Sequence, residues 1–117
     1  MKADDLEKRL IDFSVKVINI CKIMSEDYIS RHLSVQLLRS ATSVAANYGE
    51  ARGAESRKDF VHKLRICLKE LNETTIWLKI IEGSNFIEEK DIRILLSESK
   101  ELQKIIGSSL STLKQSK

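Results

Sequence analysis

Residues 39–60 read RSATSVAANYGEARGAESRKDF, and this stretch decides how the chain is divided. Its first half has a helical composition but contains almost no large apolar side chain before Tyr48. Gly49 and Gly53 then weaken the helix, each by roughly 1 kcal/mol relative to alanine. Ser56 follows in an N-cap position, with an acidic residue three positions later, as in a capping box. The stretch therefore predicts a small, polar helix, a break near Gly53, and a new helix after Ser56.

Apolar residues on either side of the break recur at alternating steps of four and three, which indicates the buried face of a helix. Four helices are predicted, over residues 4–24, 30–52, 57–82 and 88–113. Ser30 is the expected N-cap of the second helix, and Gly83-Ser84-Asn85 is a stop signal for the third. The pattern favours an all-α, antiparallel up-and-down four-helix bundle, with residues 1–117 in one domain. Helical repeats are the alternative, although no self-similar period is visible.

The composition of the 117 residues limits the class of protein further. No apolar run approaches the roughly 18 residues that a membrane span needs, and the acidic start MKADDLEKRL does not resemble a signal peptide. We therefore expect a cytoplasmic protein with no membrane partner. Cys21 and Cys67 lie on apolar faces without CxxC spacing, which favours a reduced, buried pair. A disulfide would require their two helices to meet at these positions.

Catalytic motifs are weak. Asp59 and His62 lie one helical turn apart, but a di-iron bundle needs two Glu-x-x-His motifs and further carboxylates. HExxH, P-loop and dinucleotide fingerprints are absent from the sequence. Cys67 is five residues from His62, a spacing that does not place them on one helical face. We expect no catalytic residue, no metal site and no cofactor, with Asp59 capping a helix and His62 at the surface.

A polar stripe runs beside the apolar face of the second helix. Its members are Gln36, Arg39, Ser40, Ser43, Asn47 and Glu50. The small side chains at 40–46 would let a neighbouring backbone approach closely, which would draw the stripe toward the interior or toward another subunit. There Arg39 would need partners, and Glu70 and Glu73 on the third helix are candidates. The alternative is a solvated helix face.

The run from residue 36 to residue 81 resembles the family of 23S rRNA-intervening sequence proteins. That family typically shows Gln-Leu-x-Arg-Ser-x-x-Ser-x-x-x-Asn-x-x-Glu, followed by a helix opened by Ser-x-x-Asp/Glu-Phe. The matching positions are Gln36, Leu37, Arg39, Ser40, Ser43, Asn47, Glu50, Ser56, Asp59 and Phe60. The resemblance implies a four-helix bundle, encoded within insertions of large-subunit ribosomal RNA genes or elsewhere in bacterial genomes. The biochemical role of such proteins is largely unknown.

The family is in turn similar to the accessory protein of diversity-generating retroelements. That relative forms a ring of five bundles with a basic surface, and it binds nucleic acid and a reverse transcriptase. The resemblance therefore implies a homo-oligomer, with a pentamer as one form, and an RNA-binding scaffold. The polar stripe, together with Glu70 and Glu73, would then lie where helices within or between subunits come closest.

The distribution of charge agrees with a nucleic-acid partner. Residues 31–69 hold eight Lys/Arg and three Asp/Glu, a local net charge of +5 in a chain whose total is +3. The candidate nucleic-acid-binding residues surround the junction of the second and third helices: Arg52, Arg57, Lys58, Lys63 and Lys69. Clustered there, they would contact several phosphates, with an affinity that falls as salt rises. Base reading is not indicated, since Tyr48 and Trp77 are expected in the core or an interface. The alternative is a solvated basic face on a protein-binding or self-assembling scaffold.

Overall fold

A computed structural model describes residues 1–115, and within them the backbone forms four α-helices and no strand. Helix α1 spans Ala3–Ile23, α2 spans Tyr28–Arg52, α3 spans Arg57–Ser84 and α4 spans Glu89–Gln115. The predicted all-α class is confirmed, and the helix ends differ from the predicted ones by two residues at most.

The N-terminus of α2 is capped by Asp27, so the prediction that Ser30 is the N-cap is wrong. One carboxylate oxygen of Asp27 accepts the backbone N–H of Ser30 at 3.0 Å, and the other accepts the Ser30 hydroxyl at 3.1 Å. These hydrogen bonds, the one from the Ser30 backbone foremost, lower the pKa of Asp27. Ser30 itself lies buried in the first turn. Asp27 therefore occupies the N-cap position, and its side chain satisfies one of the backbone N–H groups that the first turn leaves without a helical partner.

Both ends of α3 follow the sequence signals. The hydroxyl of Ser56 accepts the backbone N–H of Asp59 at 3.0 Å, as the capping pattern predicts. At the other end, Asn85 adopts the left-handed conformation with φ of 59°. Asparagine tolerates this conformation better than most residues, and it frequently follows the last helical residue. The helix therefore continues through Ser84, two residues beyond the predicted end.

Consecutive helices run antiparallel. Ser40 on α2 lies level with Thr74 on α3, whereas Val44, later on α2, lies level with Cys67, earlier on α3. Each helix packs against the next, α2 and α3 most extensively, while α1 closes the bundle against α4 over a much smaller contact. No Cα atom of α1 lies within 8 Å of one in α3, so these two helices face each other across the bundle. The molecule measures 49 × 21 × 20 Å.

The apolar seams of all four helices converge on one core. Its largest fully buried side chains are Leu10, Phe13, Val17, Leu37, Leu64, Leu71, Leu78, Ile81, Ile92, Leu95, Leu102 and Ile106. Removing one such side chain from water stabilises the fold by about 1.5–3 kcal/mol. This core, rather than any single polar contact, is the main source of stability.

Small side chains allow both neighbours of α2 to reach its backbone. From α1, the Ser14 hydroxyl lies 3.4 Å from the carbonyl oxygen of Ala41. From α3, the Cys67 thiol lies 3.6 Å from the carbonyl oxygen of Val44. Ala41 and Val44 are completely buried. The small residues predicted to permit close helix approach do so inside the bundle, on the faces that α2 turns toward α1 and α3.

Hydroxyl groups link the closely packed helices. The Thr74 hydroxyl donates to the Ser40 hydroxyl at 2.9 Å, between α3 and α2. Thr75 pairs with Ser99 at 2.5 Å, between α3 and α4. Throughout residues 1–114, whose side chains the structure describes, no buried side-chain nitrogen or oxygen lacks a hydrogen-bond partner. Such pairs contribute only about 1 kcal/mol each, but a shifted helix register would leave them unsatisfied.

Candidate nucleic-acid interface

Three of the five predicted RNA-binding residues are engaged within the bundle. Arg52 bridges α2 to α1, with contacts of 2.7 Å to Asp4 and 3.3 Å to Glu7. The hydrogen bond to Asp4 is the main cause of the raised pKa of Arg52. Because its guanidinium is held by two carboxylates, Arg52 is a structural link rather than a free cation.

The other two engaged residues are Lys63 and Arg57. The ammonium of Lys63 lies 3.4 Å from a carboxylate oxygen of Glu50 on α2. The guanidinium of Arg57 donates to the carbonyl oxygen of Leu113 near the end of α4, at 2.5 Å. A basic residue is well placed at a helix C-terminus, where unpaired carbonyl groups carry partial negative charge. Arg57 therefore fastens α3 to α4.

Lys58 and Lys69, the remaining two, are exposed on the outward side of α3. His62 and Arg65 lie between them, also exposed, so the four residues follow one another at steps of four, three and four. Residues at this spacing share one face of a helix. We call Lys58, His62, Arg65 and Lys69 the α3 basic row. Within residues 1–115, none of the four has an acidic partner within 4.0 Å.

Arg65 and His62 were missing from the predicted site. The sequence pattern that could have indicated them is the spacing of four, three and four residues that begins at Lys58. Residues at this spacing share the solvent-facing side of α3 with Lys58 and Lys69. Prediction from local charge density chose residues near the junction instead. Density along the chain does not distinguish a cation facing solvent from one facing a carboxylate on the next helix.

The basic row borders a shallow concavity of about 620 Å³ at the start of α3. The residues that line it are Arg57, Lys58, Val61, His62 and Arg65. The row contains no Phe, Tyr or Trp. This surface can bind phosphate oxygens by charge and hydrogen bonding, but it offers no large aromatic ring on which a base could stack.

The predicted polar stripe divides between the interior and the surface. Ser40 is fully buried between α2 and α3, and the Asn47 amide donates to the hydroxyl of Ser43 on its own helix at 3.0 Å. Glu50 lies largely in solvent, with 61% of its side chain exposed. The expectation of a stripe drawn inward therefore holds for Ser40, whereas the solvated alternative describes Glu50.

Arg39 lies in a surface network between α2 and α3. Its guanidinium contacts both suggested partners, Glu73 and, at 3.4 Å, Glu70. The Gln36 amide oxygen accepts from Arg39 at 3.3 Å, and the Trp77 indole donates to Glu73 at 3.0 Å. Since 48% of the Arg39 side chain is exposed, these ion pairs are solvated and contribute little net stability. The network covers one edge of Trp77.

The cysteines are both free thiols. Cys21 on α1 lies 3.5 Å from the carbonyl oxygen of Ser34, so the two sulfur atoms contact different carbonyl groups of α2. Burial raises the pKa of Cys21 to about 11 and that of Cys67 to about 12. Neither thiol has the lowered pKa that a nucleophilic cysteine requires.

The described residues contain no group of three or more His, Cys, Asp and Glu side chains that could hold a metal ion. In the same part of the chain, none of the helices combines the length and apolar character that crossing a membrane requires.

Comparison with known proteins gives one family. A family model described as "23S rRNA-intervening sequence protein" matches residues 5–108. The chain is also similar to the crystal structure of a protein of unknown function from the S23 ribosomal protein family of Bacteroides thetaiotaomicron VPI-5482. The two share 34% identity with a TM-score of 0.87, over 95% of this chain and 99% of the other. None of the curated proteins matches the chain.

Proposed function

Since the chain belongs to the family of 23S rRNA-intervening sequence proteins, we propose that it is a non-enzymatic scaffold that associates with copies of itself and binds RNA through the α3 basic row. The observation that carries this proposal is the row itself: Lys58, His62, Arg65 and Lys69 on one exposed helical face, with no acidic partner among the described residues. The family name supports ribosomal RNA as the kind of nucleic acid to test first.

The length of the row fits a contact with the sugar-phosphate backbone. Lys58 and Lys69 are eleven residues apart, which corresponds to about 16 Å along the helix axis. Three of the four side chains are lysine or arginine, so about three phosphates would be contacted. Each phosphate contact steepens the slope of the logarithm of the binding constant against the logarithm of the salt concentration by roughly 0.7–0.9. Affinity is then expected to fall about 20–40-fold between 50 and 200 mM salt.

The side chains favour a folded RNA over a single strand. Single-strand binders combine a basic groove with aromatic platforms, and the row has none. Double-stranded RNA is recognised largely through its backbone and shape, which cations on a rigid helix can contact. The absence of a catalytic motif in the sequence supports a binding role rather than catalysis. The two reduced cysteines support a cytoplasmic location.

A second candidate function is a scaffold that binds only protein. The observation in its favour is the network of Trp77, Arg39 and Glu73, because tryptophan and arginine are over-represented at the centres of protein interfaces. It predicts an assembly with no affinity for RNA at low salt.

Fluorescence anisotropy with a labelled ribosomal RNA hairpin, at 50 and 200 mM salt, tests the proposal. The test variant is Arg65→Glu with Lys69→Glu, which reverses two cations of the row. Its matched control is Lys16→Glu with Lys22→Glu, which makes the same change of charge on the exposed side of α1. We expect the test variant to lose at least about tenfold in affinity and the control to stay within about threefold. An equal loss of RNA affinity in both variants, or a wild-type affinity that does not change between 50 and 200 mM salt, would refute a contact between RNA and the α3 basic row.

Arg57 is deliberately left intact in the test variant. A substitution there would also remove the contact with Leu113 that fastens α3 to α4. Weak binding by such a variant could then come from a loosened bundle. Both pairs of substitutions lie on exposed side chains, and circular dichroism melting curves of both variants should match the wild type.

A further inference from the structure

A cleft of about 460 Å³ lies between α1 and α4, at the end of the bundle where α1 begins. The contact between these two helices is the smallest of the four helix contacts in the bundle, which leaves room for a cleft at their seam. The residues that line it are Met1, Ala3, Leu6, Tyr48, Lys104, Ile105, Ser108 and Ser109. Its volume lies within the range of about 300–1,000 Å³ that is typical of small-molecule sites.

Tyr48 reaches this cleft from the opposite side of the core. No Cα atom of α2, the helix that carries Tyr48, lies within 8 Å of one in α4. The side chain therefore crosses the interior of the bundle to line a cleft that α1 and α4 enclose. Only 5% of the residue is exposed.

The hydroxyl of Tyr48 opens into the cleft. It has no hydrogen-bond partner among the residues whose side chains the structure describes. Since no fully enclosed side-chain oxygen in that part of the chain lacks a partner, the exposed fraction of Tyr48 must include its hydroxyl. Burial is the main cause of the raised pKa of Tyr48, so the hydroxyl keeps its proton at neutral pH and can donate it. Phenylalanine would fill the same space without an unpaired hydroxyl.

The other polar groups at the cleft also donate hydrogen bonds. Lys104 contributes an ammonium group and Ser108 a hydroxyl, both on exposed side chains of α4. Ala3 is the first residue of α1, whose N-cap residue Lys2 provides no side-chain hydrogen bond to the first turn. Backbone N–H groups at an uncapped helix start attract anions. Hydroxyl, ammonium and amide donors thus surround one cleft.

Nearby carboxylates do not oppose an anion in the cleft. None of the described residues that line it is Asp or Glu. The carboxylates of Asp4 and Glu7, on the first turns of α1, bind the guanidinium of Arg52 at 2.7 Å and 3.3 Å. This ion pairing balances much of their charge, so Lys104 sets the sign of the charge that lines the cleft.

We infer that the cleft binds the terminal phosphate of a nucleotide-sized ligand, with Tyr48, Lys104 and Ser108 donating to its oxygens. A phosphate monoester offers three terminal oxygens, which match three side-chain donors better than the two oxygens of a carboxylate do. The cleft has room for more than a phosphate group, and Leu6 and Ile105 provide apolar walls for the rest of the ligand. The site is separate from the α3 basic row, because α3 faces α1 across the bundle.

Titration of the ¹⁵N-labelled full chain with each of the four ribonucleoside 5′-monophosphates, followed by NMR, tests the site. We expect at least one of them to give saturable shifts at the amides of Ala3, Ser108 and Ser109, with a Kd of about 1 mM or below. The corresponding nucleosides, which lack the phosphate, should bind at least about tenfold more weakly. No saturable shift at these amides at about 5 mM of any monophosphate, or equal affinity for the nucleosides, would overturn the inference.

Tyr48→Phe separates binding from folding. We expect a loss of about tenfold or more in monophosphate affinity, because a hydrogen bond to a charged group is removed. The Tm should equal or exceed that of the wild type, since no hydrogen bond within the described part of the chain is lost. Tyr28→Phe makes the same change on a residue that is 86% exposed, and it should leave both quantities unchanged. A Tyr48→Phe variant with wild-type affinity would contradict the role of the hydroxyl.

Lys104→Gln provides a second variant on an exposed side chain. Its matched control is Lys90→Gln, fourteen residues earlier on α4 and about 21 Å away along the helix axis. Lys104→Gln should also lose about tenfold in affinity, whereas Lys90→Gln should stay within about twofold of the wild type. Equal affinities in these two variants would show that Lys104 makes no contact with the phosphate.

A free nucleotide and the 5′ end of an RNA strand carry the same phosphate group. Fluorescence anisotropy with one RNA hairpin, prepared with a 5′-phosphate or a 5′-hydroxyl, distinguishes these sources. Tighter binding of the phosphorylated hairpin that disappears in Tyr48→Phe would assign the site to RNA ends, whereas equal binding of both hairpins would assign it to free nucleotides. The variant Arg65→Glu with Lys69→Glu should keep its affinity for monophosphates, so a failure of the RNA contact at the α3 basic row leaves this site testable.

Discussion

Ala41→Leu should destabilise the bundle by about 2 kcal/mol, within the usual range of 1–3 kcal/mol for an overpacked core. Ala41 has no exposed surface, and its carbonyl oxygen lies 3.4 Å from the hydroxyl of Ser14 on α1. Leucine adds three carbon atoms at a site where α1 already touches the backbone of α2. Alanine and leucine have nearly equal helix propensities, so the substitution changes packing with little effect on the helix itself.

Thermal unfolding followed by circular dichroism measures this effect. For a chain of this size, 1 kcal/mol corresponds to roughly 4 °C, so the Tm should fall by about 8 °C. Ala46→Leu is the matched control, because Ala46 is exposed on the same helix. Its Tm should stay within about 2 °C of the wild type. An unchanged Tm in Ala41→Leu, or an equal loss of Tm in both variants, would refute the claim that the small side chain of Ala41 is needed for close packing of α1 against α2.

Two pH-dependent predictions follow from the thiols and from the α2 cap. Native protein at pH 8 should react with a thiol reagent at neither Cys21 nor Cys67, whose pKa values are raised to about 11 and about 12, whereas unfolded protein should react at both. The pKa of Cys67 is higher in the folded protein than in the unfolded chain. The contribution of this thiol to stability is therefore complete below about pH 8.5 and is lost as the pH rises toward 12. Cys67→Ala should give a shallower fall of Tm between about pH 9 and 11 than the wild type does. The pKa of Asp27 is lowered in the folded protein, so its effect on stability has the opposite pH dependence. The contribution of this carboxylate to stability is present above about pH 4 and is lost in acid. Asp27→Ala should therefore lower the Tm at pH 7 and bring it closer to the wild type at pH 2, and a constant difference between the two pH values would contradict the assigned role of the carboxylate.

The fold could be predicted because the information for it is local. Steps of four and three place Leu37, Ala41 and Val44 on one face whatever the neighbouring helix contributes. Short connections then leave few ways to pack four such faces. The cap of α2 was predicted at the wrong residue because Asp27 and Ser30 both suit an N-cap, and both in fact lie within one hydrogen-bonded turn. The sequence pattern did not show that the side chain of Asp27 accepts this hydrogen bond and that the backbone N–H of Ser30 donates it.

The candidate site was harder to predict because it depends on which charges meet across helices. The partners of Arg39 could be suggested, since α2 and α3 are consecutive and the register of an antiparallel pair is limited. The partners of Arg52 lie at the start of α1, and no pattern near residue 52 indicates them. Pairing removed Arg52 and Lys63 from the predicted site, and exposure added Arg65. A sequence gives the number of charged residues in a region, but it does not show how many of them are left unpaired by the neighbouring helices and can bind a ligand.

Self-association and RNA binding, the two parts of the proposed function, also depend on each other energetically. Three phosphate contacts on one subunit provide weak, salt-sensitive attraction, and non-specific binding of this kind has a typical Kd of 10⁻⁴–10⁻⁶ M. Self-association would place several α3 basic rows on one particle, and linked sites can exceed the affinity of a single site by 10²–10⁴ without any new contact.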